Sequence, residues 1–173
     1  MEQQTYVTVN DFREYENYMN LINHRLDSLE QKQRKMVFLE GFAFSEGDVS
    51  NALRTFRLLA NCANKSIILF DSKIDSSALE FFEEKNKDVS LTIITSSASA
   101  LSQSEIDKYI KNHGKLEVLV NEKCEGEHYL IYDDEFFYFA SGHLCDIGKN
   151  FFMMSQIHDD WYKKSIKKNV HGI

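Results

Sequence analysis

Two histidines, two cysteines and a lysine lie between Cys124 and Lys149, and their types set the chemistry to be tested first. Cys124, His128, His143 and Cys145 are the ligand types of a tetrahedral zinc site. Their spacing argues otherwise. Cys124-x3-His128 and His143-x-Cys145 lack the tight turn of a zinc knuckle, and a single intervening residue sends its neighbours the same way only in extended chain. The expectation is therefore no metal and no cofactor. Cys124, beside Lys123 on the acidic stretch from Glu122 to Glu127, reads as an ordinary surface thiol. The histidines keep another use, because imidazole performs either acid or base work near neutral pH.

These residues need elements to hold them. Tyr129 to Tyr132 and Phe136 to Ala140 are apolar runs on either side of Asp133-Asp134-Glu135, which reads as two antiparallel strands joined by a tight acidic turn. Ser141-Gly142-His143 and Asp146-Ile147-Gly148-Lys149 then form a polar loop leading into the apolar run from Phe151 to Ile157.

This order of Leu130, Ile131, Asp133, Asp134, Leu144, Asp146, Gly148 and Lys149 resembles the C-terminal domain of RhuM-like bacterial virulence and phage regulatory proteins, a shortened relative of the phospholipase D (HKD) fold. The resemblance spans roughly Phe38 to Ile157. It implies a phospholipase D-like half-unit, which in that fold meets a second half with the active-site segments facing, and hence a homodimer. It also implies a histidine nucleophile, a lysine on the phosphoryl oxygens and a carboxylate that orients the histidine. The departures fall at the chemistry: Gly126 stands at the family's histidine position, His128 at its basic position and His143 at its hydroxyl position. Gly126 is no nucleophile, so the resemblance implies a non-catalytic interaction or regulatory module of a bacterial or mobile-element protein. The alternative is a divergent phosphodiesterase or nuclease with a dimer-shared site made of His128, His143, Lys149 and Asp133.

The N-terminal segment carries an independent signal. Phe12, Tyr15, Met19, Ile22, Leu26, Leu29 and Met36 follow alternating steps of three and four, with Gln33 in the one missing place, a 3.5-residue period. Such a seam predicts a coiled-coil helix over residues 1–37 and self-association, with Asn10 or Asp11 as its cap and Gln33 setting register. The remainder, 38–173, reads as one α/β domain.

Within it the apolar pattern alternates. Ser45 to Ala63 reads as a helix, Ser66 to Asp71 as a buried strand, Asp75 to Lys85 as a short helix and Ser90 to Thr95 as a second buried strand. Ser102 to His113 reads as a helix opened by a Ser102/Glu105 capping box and closed by Gly114, and Leu116 to Val120 as a third strand. This predicts an α/β fold with a mixed, mainly parallel sheet flanked by helices. Asp71 and Asp75 follow a strand end where ligands of open sheets collect. Strand-terminal aspartates more often cap the next helix, so neither is taken as a site residue.

Composition bounds the rest. The 173 residues are 43% apolar, hold seven glycines and no proline, and carry a net charge of −7. That fits one core without a flexible linker and disfavours nucleic-acid binding over the whole surface. The Lys163, Lys164, Lys167 and Lys168 cluster reads as a solvated helix end, with Trp161, Tyr162 and Ile166 packing it onto the domain. Three cysteines do not make a disulfide framework, and Cys62 reads as a small buried hydrophobe. Neither a secretory signal nor a membrane span is evident, which predicts a cytoplasmic protein whose partners are a second copy of itself and, in the regulatory reading, another protein.

Overall fold

The structure is a computed structural model that describes residues 9–38, 40–96, 101–121, 124 and 126–171. It divides into two units, Met1–Val37 and Phe38–Ile173.

The described part of the first unit is one helix, α1 (Val9–Val37). It begins before Asn10 and Asp11, which sit in its first turn instead of capping it. The described stripe residues Phe12, Tyr15, Met19, Ile22, Leu26 and Leu29 are all between 36% and 61% exposed. The side chains of Gln33 and Met36 lie outside the described residues.

The second unit runs β1 (Gly41–Phe44), α2 (Val49–Cys62), β2 (Ser66–Phe70), α3 (Ser77–Glu80), β3 (Ser90–Thr95), α4 (Gln103–His113), β4 (Leu116–Val120), β5 (Tyr129–Tyr132), β6 (Phe136–Ala140), β7 (Phe152–Ile157) and α5 (Asp160–His171). Its seven strands form one sheet in the order β1-β7-β6-β5-β2-β3-β4. Only β2-β3 and β3-β4 are parallel; β2-β5, β5-β6, β6-β7 and β1-β7 are antiparallel. The sheet is therefore mixed but not mainly parallel. The links from β5 to β6 and β6 to β7 are too short for a crossover, which forces antiparallel pairing. β1 adds another antiparallel pair, a four-residue strand with no period long enough to read in the sequence.

Local signals explain most boundaries. Ser102 accepts a hydrogen bond from the Glu105 amide while the Glu105 carboxylate accepts from the Ser102 amide, and so α4 starts where the capping box demands. Gly114 ends it at φ +88°, where an added Cβ would meet the Lys87 carbonyl oxygen at 2.4 Å. Only glycine combines that φ with that closeness. The helix expected from Asp75 to Lys85 shrinks to α3, followed by turns. Its N-cap is Ser76, which makes no side-chain cap bond, and Asp75 just before it accepts from the Ser77 amide at 2.9 Å in a local turn.

Helices cover both sheet faces. On one face α2 buries Ala52, Phe56, Leu59 and Ala60, and the Phe56 ring lies 6.1 Å from Phe44, 5.1 Å from Phe81 and 6.4 Å from Phe152. Burial of a side chain of that size contributes about 1.5–3 kcal/mol. On the other face Ile166 and Val170 of α5 join Phe70, Ile94, Cys124, Tyr129, Ile131 and Phe137 in a second cluster. Trp161 does not take part, being 76% exposed, whereas the Tyr162 hydroxyl lies 2.7 Å from that of Tyr129. Cys62 is half-buried rather than buried. Among the described residues no helix is long and apolar enough to cross a membrane.

Candidate functional site

The β5–β6 hairpin forms as its acidic turn dictates: Asp133 and Asp134 take φ of 57° and 59°, and the Glu135 amide donates to the Tyr132 carbonyl at 3.0 Å. Aspartate tolerates this left-handed backbone better than most residues. The Asp133 carboxylate collects the amides of Asn64, Lys65 and Ser66 at 2.6–3.0 Å and so ties the turn to the start of β2. This position is structural. β5 separates it from His128 by four strand residues, about 13 Å of chain.

At the other end of the hairpin His128 and His143 come together, their ring centroids 4.4 Å apart. The pairing of Phe70 with Tyr129 sets the end of β2 against the entry of β5, and the His128 carbonyl accepts the Ala140 amide at 2.9 Å. His128, the chain leaving β6 toward His143, and Asp71 just past β2 therefore converge. Asp71 is the residue that sequence reasoning set aside as a cap. It is 1% exposed, with His143 Nδ1 2.6 Å and His128 Nδ1 3.3 Å from its Oδ1.

An ionised carboxylate only accepts, so the His143 Nδ1 carries the proton of the short contact. Lys73 donates its amide to Oδ1 at 3.1 Å and Leu144 to Oδ2 at 2.8 Å. Asp71 thus also closes a local turn through Lys73, but α3 begins only at Ser77, so Asp71 does not cap the following helix. Burial pushes its carboxyl up, but His128, His143 and the two amides outweigh burial and hold it below the ordinary aspartate value. The His128 approach is oblique. Its Nδ1 is buried and within ion-pair distance of Asp71, yet among the described residues it has no aligned hydrogen bond. The two side chains are 13% and 27% exposed, respectively.

Lys149 makes no described contact with the histidines. Its Nζ donates to the Cys145 carbonyl at 2.9 Å and to Asp146 Oδ1 at 3.1 Å, and Asp146 also takes Lys73 Nζ at 3.1 Å. Burial raises the Asp146 carboxyl, but the two lysines outweigh it and hold the group low. Gly126 is exposed with φ +75°, far from any nucleophilic role.

The cysteines also depart from expectation. Cys124 is fully buried, its Sγ 3.6 Å from the Ile94 carbonyl, and burial pushes the thiol up to about 12. The chain turns inward there through the Cys124 amide on the Asn121 carbonyl at 2.9 Å, so an acidic neighbourhood in sequence did not mean a surface position. Cys145 is buried too, its Sγ 3.6 Å from the Lys73 carbonyl. Neither sulfur joins the histidines. The cavity bordered by Asp71, His128, Gly142 and Leu144 is about 10 Å³, room for one water at most.

Chemically, the cluster is a buried carboxylate that fixes one imidazole and faces another. It can hold a proton at His143 Nδ1, orient that ring, or accept a cation among its three groups. The signal that points to Asp71 is an acid closing the apolar run Ile67 to Phe70 of a strand inside an open sheet.

No family model matches the chain, and no curated protein matches it either. A similar solved structure is that of TrmBL2, an archaeal chromatin protein whose structure shows a novel mode of DNA binding: TM-score 0.51, 17% sequence identity, covering 98% of this chain and 70% of that one. At that identity the similarity is one of fold.

Proposed function

We propose that this chain is a self-associating, non-catalytic interaction module: a phospholipase D-like half-unit joined to a coiled-coil helix, in a regulatory protein. The observation that carries the proposal is the 3.5-residue stripe of α1, whose six described apolar members are all exposed on the single chain. Such a seam is stable in water only when another helix covers it. The site argues in the same direction. A phosphodiester needs a positive clamp beside the histidines, while Lys149 is bound to its own loop.

Light scattering behind size exclusion tests this reading. The wild type should run as a dimer and Ile22→Asp/Leu26→Asp as a monomer with unchanged α/β circular dichroism in the domain. A monomeric wild type at tens of micromolar would sink it.

A second reading is favoured by one contact, the Asp71 carboxylate on His143 Nδ1, which is how a catalytic histidine is oriented. It is a phosphodiesterase or nuclease, and its test is turnover of a chromogenic phosphodiester and of single- and double-stranded DNA, compared with His128→Ala/His143→Ala. DNA binding without cleavage, suggested by TrmBL2, is weakened by the net charge of −7. On α5, Lys163 and Lys167 lie over the Phe137 ring and Lys167 also pairs with Asp134, so only Lys164 and Lys168 of that cluster have no described partner. A mobility shift on the same DNA separates binding from turnover.

A further inference from the structure

We propose that Asp71, His128 and His143 bind a divalent transition-metal ion of the zinc class, through one carboxylate oxygen and the two Nδ1 atoms. One ligand atom from each residue lies within 4.8 Å of those of the other two. A tetrahedral ion with bonds of about 2.0–2.1 Å places its ligand atoms about 3.3 Å apart. His128 Nδ1 and Asp71 Oδ1 already stand at 3.3 Å, a separation too oblique for a hydrogen bond but suited to two ligands of one ion. His143 Nδ1 is closer, 2.6 Å from the same oxygen, because a proton bridges them. An ion held by Nδ1, with the ring proton moved to Nε2, requires the pair to open by less than about 1 Å.

The surroundings are arranged as they are around metal ligands. The Leu144 amide holds Asp71 Oδ2 and the Lys73 amide shares Oδ1, so the carboxylate is oriented before any ion arrives. Two imidazoles and a carboxylate leave a fourth position open to water, as in a site with three protein ligands. The donor set is N, N, O rather than the cysteine-rich set suggested by residue types, because both nearby sulfurs face carbonyl oxygens. The three ligands come from the end of β2, the entry of β5 and the exit of β6, so an ion would cross-link strands remote in sequence. This inference does not depend on catalysis and is compatible with a non-catalytic module.

The test titrates the EDTA-stripped full chain with Zn2+ by calorimetry and with Co2+ by visible spectroscopy. Expected are one ion per chain and ligand-field bands without a thiolate charge-transfer band. His128→Ala and His143→Ala should each weaken binding at least about tenfold. Cys124→Ala, Cys145→Ala and His158→Ala should leave it unchanged, the last removing the surface pair of His158 with Glu40. No binding, a thiolate band, or affinity that survives loss of both histidines would overturn the proposal. If a histidine variant does not fold, the wild-type spectrum and stoichiometry still decide.

Discussion

His143 Nδ1 lies 2.6 Å from Oδ1 of Asp71, a residue seventy-two positions earlier in the chain, and this contact holds the loop after β6 against the end of β2. The same carboxylate takes the Leu144 and Lys73 amides, so one side chain of 1% exposure organises three segments.

Removing that carboxylate should be costly. Asp71→Ala leaves the buried Leu144 amide without its acceptor, and stability should fall by about 2–3 kcal/mol in urea titrations. Asp71→Asn keeps one acceptor and should cost less. Equal stability of all three proteins would mean that water takes over the carboxylate's role.

The acid limb follows from the same residue. Asp71 has its carboxyl below the ordinary value in the folded state, so its ionised form stabilises the fold above the unfolded value of about 3.9. That contribution is lost as pH falls through the lower folded value. Between pH 5 and pH 2, wild type should therefore lose more stability than Asp71→Asn, and parallel curves would contradict the assignment.

Thiol chemistry separates Cys124 from a surface cysteine. With its thiol pushed up to about 12 and its side chain buried, Cys124 should react with iodoacetamide at pH 8 at least about tenfold more slowly than after unfolding. Peptide mass spectrometry reads the site. Fast native labelling would put the loop in solvent.

Gly148 joins the loop carrying Lys149 to the start of α2, its carbonyl accepting the Gly47 amide at 2.8 Å. At φ +82°, a Cβ there would sit 2.1 Å from Val49 Cγ2. Gly148→Ala should cost about 1–3 kcal/mol through backbone strain plus the clash. Adding Val49→Ala removes the clash and should recover part of the loss. Full recovery would assign the whole cost to the clash.

Much of this protein was written locally. The helix α1, the capping box at Ser102, the glycine stop at Gly114 and the acidic turn at Asp133 each depend on neighbours a few residues apart, and each appears where the pattern put it. The strands β2, β3 and β4 were equally legible as apolar runs, although β4 at the sheet edge buries none of its residues fully. β1 was too short to show a period. Cys124 was misread because polar neighbours in sequence do not fix the direction in which a loop turns.

The sheet order and the site were decided only in three dimensions. Nothing in the period of β5 says that it lies between β2 and β6, yet that position makes most pairings antiparallel and brings His128 to Asp71. Asp133, the carboxylate the resemblance assigns to the site, faces the wrong end of the hairpin because a strand carries its two ends apart by about 3.3 Å per residue. Sequence alone specified most of the elements, though not β1 or the short extent of α3, since periodicity and caps act over one or two turns. Which ends of those elements meet was set by strand pairing and by burial of the two sheet faces, and the meeting of Asp71, His128 and His143 is a product of that assembly.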